Sequence, residues 1–216
     1  MNGLSDSIAW PSRDPQWVSK ILLTGLILLI PIVGQLVVFG WMLAALDNLR
    51  AGRQELPPAG FSYIGRGIPL FVVYLVYTLA IVVVFAGLLA IGVVVTVADR
   101  GQAGPLGAFF ILLSYGVVIL ASLGLYLLSP PIIVATERGG IGGGLNLPAV
   151  IGMVSADFNT ALYVGLFALV AFLIGGIGAI ACGIGQVFTL PYGYAVLAGV
   201  VHYYERAAGP QATSVA

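Results

Sequence analysis

The residues that could do chemistry are few. His202, Glu205 and Arg206 form the one cluster worth testing: an imidazole and a carboxylate three positions apart on one helix end meet the geometry for proton transfer. The set has neither a nucleophile nor a metal partner. Cys182 is the only thiol and lies in an apolar segment, so it offers no intrachain disulfide and no Cys-based metal site, and it reads as a small packing residue. Asp47, Asp99, Glu137, Asp157 and Glu205 all stand at the ends of apolar segments, where a carboxylate reads as a solvated helix terminus. An acid inside a span would mark a proton relay or an intramembrane protease, and this chain has none. It also lacks the G-x-S-x-G, H-E-x-x-H and Walker patterns. The run from Gly139 to Gly144 has the glycines of a phosphate loop without its Lys and Ser or Thr, and reads as a flexible surface linker. We therefore expect no enzymatic activity, and assign no catalytic, cofactor-binding or metal-binding residue.

The remaining polar groups in the apolar stretches are uncharged. Gln35 and Gln186 each follow a glycine at an interruption marked by Pro31 or approached by Pro191. An amide in lipid needs partners, so these four residues are candidates for bends whose backbone the glutamines satisfy, or for a polar cleft between hairpins. Gly175, Ala179 and Gly183 recur every four residues, the small-xxx-small pattern of close helix packing.

The elements that must position these groups follow from composition. Of 216 residues, 60% are hydrophobic and only 8 are basic and 8 acidic; the mean hydropathy is +1.10. Such a chain is an integral membrane protein, not a soluble enzyme or a nucleic-acid binder with a basic face. The charges leave Ile21–Leu46, Gly67–Ala98, Gly101–Thr136, Gly139–Ala156 and Phe158–Tyr204 without an ionised side chain. A span needs about 20 apolar residues, so the last stretch must fold into a hairpin, with its bend at Gly183-Ile184-Gly185-Gln186. Its second arm should kink or unwind between Thr189 and Gly193 because Pro191 lacks an N–H.

Lipid leaves backbone groups no outside partner, so spans are helices or closed barrels, and stretches such as 72–95 show no strand alternation. The fold class is all-α: a polytopic helical membrane bundle of three hairpins, the first short or re-entrant, plus a short interfacial helix. That helix starts at Asn146 and Pro148 and puts Leu147, Val150, Ile151 and Val154 on one face. Residues 1–14 read as a polar N-terminal tail, 15–206 as the membrane domain and 207–216 as a flexible C-terminal tail.

Ile21–Leu46 admits two readings, a single kinked crossing or a hairpin bent at Pro31–Gln35. With the loop holding Arg50, Arg53 and Arg66 in the cytoplasm, the hairpin puts seven basic residues inside and only Arg100 outside, against five and three for a single crossing. The hairpin reading places both termini in the cytoplasm. A weak internal echo supports it: three hairpins would each end in an acid, an Arg and a Gly on one membrane face, as at Glu137-Arg138-Gly139. Trp10, Trp17, Tyr63, Tyr203 and Tyr204 flank the apolar stretches as an aromatic belt, with Lys20 and Arg206 beside them.

Asp14-Pro15, Trp17, Lys20-Ile21-Leu22, then Ile30-Pro31-Ile32-Val33-Gly34-Gln35, Gly40-Trp41, Arg50, Gly52 and Leu56-Pro57 resemble the start of an uncharacterised prokaryotic membrane family, domain-of-unknown-function family four-zero-one-three. Many members of that family have Tyr at the position of Trp41. The segment Leu147–Tyr163 also resembles the family's late amphipathic stretch. The resemblance implies a multi-span bacterial or archaeal membrane protein and carries no activity.

Three function classes follow. A non-enzymatic accessory or scaffolding subunit, or a self-associating component, of the inner (cytoplasmic) membrane needs no intramembrane chemistry and is the reading we favour. A channel or carrier for a small neutral or lipidic molecule would use the interruptions at Pro31 and Pro191. An intramembrane lipid-modifying enzyme would depend on His202, Glu205 and Arg206. The expected partners are the lipid bilayer and other membrane proteins or a second copy, with no nucleic acid and no cofactor.

Overall fold

The computed structural model describes residues 3–98, 104–180 and 183–208; Asp99, Arg100, Cys182 and the tail from residue 209 onward lie outside the described residues. Among them all regular structure is helical: α1 (Asp6–Ala9), α2 (Trp17–Leu28), α3 (Val33–Arg50), α4 (Ile64–Ala98), α5 (Pro105–Leu127), α6 (Ser129–Leu145), α7 (Leu147–Ala156), α8 (Phe158–Ile177) and α9 (Gln186–Ala207), with 3-10 turns at Trp10–Arg13, Phe61–Tyr63 and Gly178–Ile180. Three segments are long and apolar enough to cross a membrane: Phe61–Ala98, Pro105–Leu127 and Phe158–Ile180. The chain is a helical membrane bundle. It divides into two compact units, one holding the chain up to Val73 and from Tyr126 onward, the other Tyr74–Leu125.

The first unit is built around α9. This helix carries Gln186, Thr189, His202 and Glu205 and is less apolar than α8, yet Ala195 through Val201 and Tyr204 are all buried. A helix wrapped by protein need not be as apolar as one that meets lipid. Helices α1, α2, α3, α6 and α8 all pack on it. Small residues make the approach close. A side chain on Gly193 would meet the Ala171 carbonyl of α8 at 2.5 Å, and Thr189 Oγ1 donates to the Gly175 carbonyl at 2.7 Å.

Two expectations about this hairpin change. α9 runs through Pro191 without unwinding. Pro191 leaves the Val187 carbonyl without its i+4 donor, and Gly25 of α2 lies directly against that oxygen, where any side chain would collide. The small-residue stripe also breaks. α8 ends at Ile177, Ala179 is exposed in the 3-10 turn, and Gly183 has φ +80° in the bend before α9. Gly175 packs on Leu190 of α9, while Gly183 meets nothing.

The stretch 21–46 is a hairpin. Its arms, α2 and α3, are joined by a turn over residues 29–32 that holds Pro31, and Gly34 lies against Ile27 and Leu28. At 12 residues α2 is about 18 Å long, short of a full crossing. Ile32 has φ 65° and ψ −57°, the centre of a γ-turn in which the Val33 N–H donates to the Pro31 carbonyl at 2.7 Å, a conformation that costs a β-branched residue about 1–3 kcal/mol.

The N-terminal segment is not a loose tail. Trp10 is 0% exposed, its Nε1 donates to the Ala195 carbonyl at 2.9 Å, and Tyr192 donates its hydroxyl to the Ile8 carbonyl at 2.9 Å. Gly199 leaves the room that the Trp10 indole fills. The indole is large and apolar with one donor, so a protein groove with a matching acceptor holds it better than a membrane interface. Tyr204, also read as a belt residue, is buried at 1% exposure. Trp17 packs its ring against Phe188 and Tyr192.

The glycine run after α6's first half is a tight reversal, not a flexible linker. Gly140 takes φ 60° and ψ −151° inside α6, which returns the chain so that Gly143 lies on the Ala135 carbonyl and Gly144 on Thr136 and Val73. Asn146 then caps α7, accepting from the Ala149 N–H at 3.3 Å. α7 buries Val150 and Met153 and leaves Leu147 and Ile151 exposed. Its predicted apolar stripe therefore straddles the edge between protein and surroundings.

The second unit is an antiparallel hairpin of α4 and α5. Gly92 and Gly107 let the backbones meet: a side chain on Gly92 would reach Ile111 at 2.8 Å, and one on Gly107 would collide with Thr96. Phe85 and Tyr115 stack edge-on at 5.6 Å. The other faces of both helices are exposed and apolar.

Candidate functional site

Five charged side chains from four helices meet at one end of the first unit. Asp47 and Arg50 occupy adjacent turns at the end of α3, three positions apart and therefore on one face. Arg66 stands near the start of α4, Glu137 in α6 and Glu205 near the end of α9. Arg50 is the hub. It donates to both Glu205 oxygens at 2.9 and 2.6 Å, to Glu137 Oε2 at 2.5 Å and to Asp47 Oδ1 at 3.0 Å. Arg66 donates to Asp47 Oδ2 and to Glu137 Oε1 at 3.1 Å.

Of the five acids read from sequence as separate solvated termini, Asp47, Glu137 and Glu205 are thus one network, while Asp157 caps α8 by accepting from the Thr160 N–H at 3.1 Å and Asp99 lies outside the described residues. The side chains of Glu137 and Glu205 are only 15% and 19% exposed. Burial opposes the charge of Asp47 and Arg50, and pairing within the network overcomes it. Asp47 is held below the ordinary carboxylate range by hydrogen bonds and charge from Arg66 and Arg50. Arg50 is held above its usual value by Glu205 and Glu137. The signal for this convergence was the acid at the end of each hairpin. What sequence did not reveal was Arg50 as the shared partner.

The cluster His202, Glu205 and Arg206 is not assembled as a proton-transfer set. Glu205 has both oxygens on Arg50, and the His202 Nδ1 is buried without a hydrogen bond. Gln35 donates to the Tyr194 hydroxyl at 2.8 Å, tying α3 to α9 instead of satisfying the bend at Pro31. Gln186 opens α9, its N–H donating to the Gly183 carbonyl at 3.1 Å.

A second polar centre holds the loop after α3. Asp14 is 2% exposed and accepts from the Gln16 N–H at 2.7 Å, the Leu56 N–H at 2.8 Å and Lys20 Nζ at 2.7 Å. Lys20 also donates to the Leu56 carbonyl at 2.7 Å, and Trp41 Nε1 to the Pro57 carbonyl at 2.9 Å. Burial pushes the Asp14 carboxyl up, but these donors and the Lys20 charge hold it below the usual range. Asp14, Lys20, Trp41 and Leu56-Pro57 are scattered over more than forty positions of sequence. In space they form one clasp.

The family described as a protein of unknown function (DUF4013) matches residues 23–204. The chain belongs to this family. No curated protein and no solved structure matches it. The DUF4013 match covers the hairpin turn at Pro31, Trp41, Leu56-Pro57 and four members of the ionic network, Asp47, Arg50, Arg66 and Glu137; Glu205 stands just past its end, and Asp14 and Lys20 precede it.

Beside the network, α3, α4 and α6 enclose a recess of about 320 Å³. Arg66 and Glu137 line its charged side, and Leu43, Pro69, Leu70 and Ile133 its apolar side. In this DUF4013 protein the charged groups and the apolar floor come from the same three helices, one helical turn apart.

Proposed function

We propose that the protein is a non-enzymatic, scaffolding component of the inner (cytoplasmic) membrane, with both termini in the cytoplasm, that associates with a second copy through the outer face of α4. One observation carries this reading. Val76, Ala80, Val83, Gly87, Ala90, Val94 and Val97 are all exposed, at alternating spacings of four and three that keep them on a single stripe. The stripe lies opposite Phe85 and Gly92, the side that packs on α5. Gly87 has nothing within 4 Å of the position a side chain would take.

Glycine inside a helix costs about 1 kcal/mol relative to alanine, and at Gly87 no packing within the chain offsets it. In a bilayer, helices associate through backbone approach at small residues, because lipid supplies no hydrophobic drive. A repeat of this period favours a left-handed crossing of two such helices near 20°. The positive-inside count supports the orientation, since Arg50 and Arg66 share the network at the end where the loop that holds Arg53 lies.

The test is the mass of the purified protein in detergent by size-exclusion chromatography with light scattering, for wild type and Gly87→Leu. The expected result is a wild-type dimer that Gly87→Leu converts to monomer with unchanged melting, because no group of the same chain touches that position. A wild-type protein that is monomeric at every protein-to-detergent ratio, or a variant with unchanged mass, overturns the reading.

A further inference from the structure

We propose that the recess between α3, α4 and α6 binds one zwitterionic membrane phospholipid with a primary ammonium, its phosphate at Arg66, its ammonium at Glu137 and its glycerol and first acyl carbons over Leu43, Leu70 and Ile133. The inference is independent of self-association through α4.

The recess is amphipathic by construction. Two of its helices each give it a charged and an apolar residue four positions apart, Arg66 and Leu70 on α4, Glu137 and Ile133 on α6; α3 gives Leu43, four positions before Asp47, which lies outside the recess and pairs with Arg66. Four residues are about 6 Å of helix. The charges therefore share one level and the apolar side chains share another, about 6 Å away along each axis. Ionised groups this costly to bury belong at headgroup depth, which puts the apolar floor at the depth of the glycerol and the first methylenes. Leu70 and Ile133, 1% and 0% exposed, are the packed base of that floor, and half-buried Pro69 is the apolar wall that stays open above them.

The charged level has capacity for a ligand of both signs. Arg66 uses one N–H of each terminal nitrogen, on Asp47 and Glu137, leaving three of its five donors without a partner among the described residues. A phosphate oxygen suits that fork. Glu137 accepts one hydrogen bond on each oxygen, from Arg66 and Arg50, so each oxygen keeps room for another donor. A primary ammonium can supply it, and a glycerol headgroup supplies no charge to match. The volume of about 320 Å³ suits a headgroup with the start of its chains and excludes a whole lipid, whose tails must run outside the recess.

The probes are phosphatidylethanolamine, phosphatidylglycerol and water-soluble glycerophosphoethanolamine, each titrated into detergent-purified protein and read by native mass spectrometry. The expected result is one phosphatidylethanolamine retained per chain, more tightly than phosphatidylglycerol, with the soluble headgroup far weaker because it lacks the acyl contact. Arg66→Gln should weaken both lipids by about tenfold or more, the scale of a charge-assisted hydrogen bond. Glu137→Gln should abolish the preference for ethanolamine while leaving phosphatidylglycerol retention in place. Leu43→Phe, which leaves the ionic network untouched, should lower retention of both lipids by filling the floor. Equal retention of the two lipids by the wild type overturns the proposal without any variant. So does soluble headgroup binding as tight as lipid, which would mark a site for free phosphate esters, and so does unchanged retention in a folded Arg66→Gln or Leu43→Phe.

Discussion

Replacing Arg50 by Gln removes the hub of the five-residue network, and its cost can be worked from the contacts. The Asp47 pair is three residues apart on an exposed face and contributes about 0.3 kcal/mol. Glu205 and Glu137 are mostly covered, so each lies between the exposed limit of about 1 kcal/mol and the buried limit of about 3–5 kcal/mol. About 1–2 kcal/mol for each gives a total of about 2–4 kcal/mol, with the loss falling mainly on two half-buried carboxylates left short of donors. For a chain of this size that is a fall in melting temperature of roughly 5–10 °C. Arg50→Lys should recover less than half of it, because a lysine keeps the charge but cannot hold both Glu205 oxygens in a fork. The assay is thermal unfolding in detergent followed by circular dichroism, with a double-mutant cycle between Arg50→Gln and Glu205→Gln. The cycle should return a coupling of about 1–2 kcal/mol that shrinks at high salt. A coupling below about 0.3 kcal/mol would refute the claim that the network joins α3 to α9 energetically.

Other expectations concern the two ends of the first unit. Trp10→Ala should destabilise the protein by about 3–5 kcal/mol, since it empties a fully buried site and removes the hydrogen bond that the indole adds to the Ala195 carbonyl; a melting temperature within a degree of wild type would mean that the N-terminal segment does not dock on α9. Asp14 and Asp47 both have folded values below the unfolded carboxylate value of about 3.9, so the stability they contribute is complete above about pH 5 and falls away as pH drops through their folded values. Asp14→Asn should therefore flatten the loss of melting temperature between about pH 5 and pH 2, and an acid profile parallel to wild type would contradict the clasp.

Much of the architecture was legible without coordinates because lipid permits so little. A charge-free stretch of 47 residues has to fold back, an Asn before a Leu-Pro has to start a helix, and a 26-residue stretch broken by Pro31 and Gly34 can turn; each appears as α8 and α9, as α7, and as the α2–α3 hairpin. The candidate site was legible only in fragments. Hydropathy marked where charges sit along the chain, and the similar hairpin ends hinted at one shared face. Nothing in the periodicity of α3 or α9 named Arg50 and Glu205 as partners across 155 positions.

The division between sequence and structure has one physical cause. Apolar character reports that a segment avoids water, and both lipid and protein interior satisfy it; the strongly apolar α4 meets its surroundings on most faces, whereas the less apolar α9 is the helix wrapped by five others. The sequence by itself determined the helical class, the turns and the ends where charge must stay. Only the tertiary structure decided which helix lies inside, because that depends on steric matching between backbones: Gly25 on the Val187 carbonyl, Gly193 on α8, and Gly199 under an indole that the sequence placed at a membrane surface.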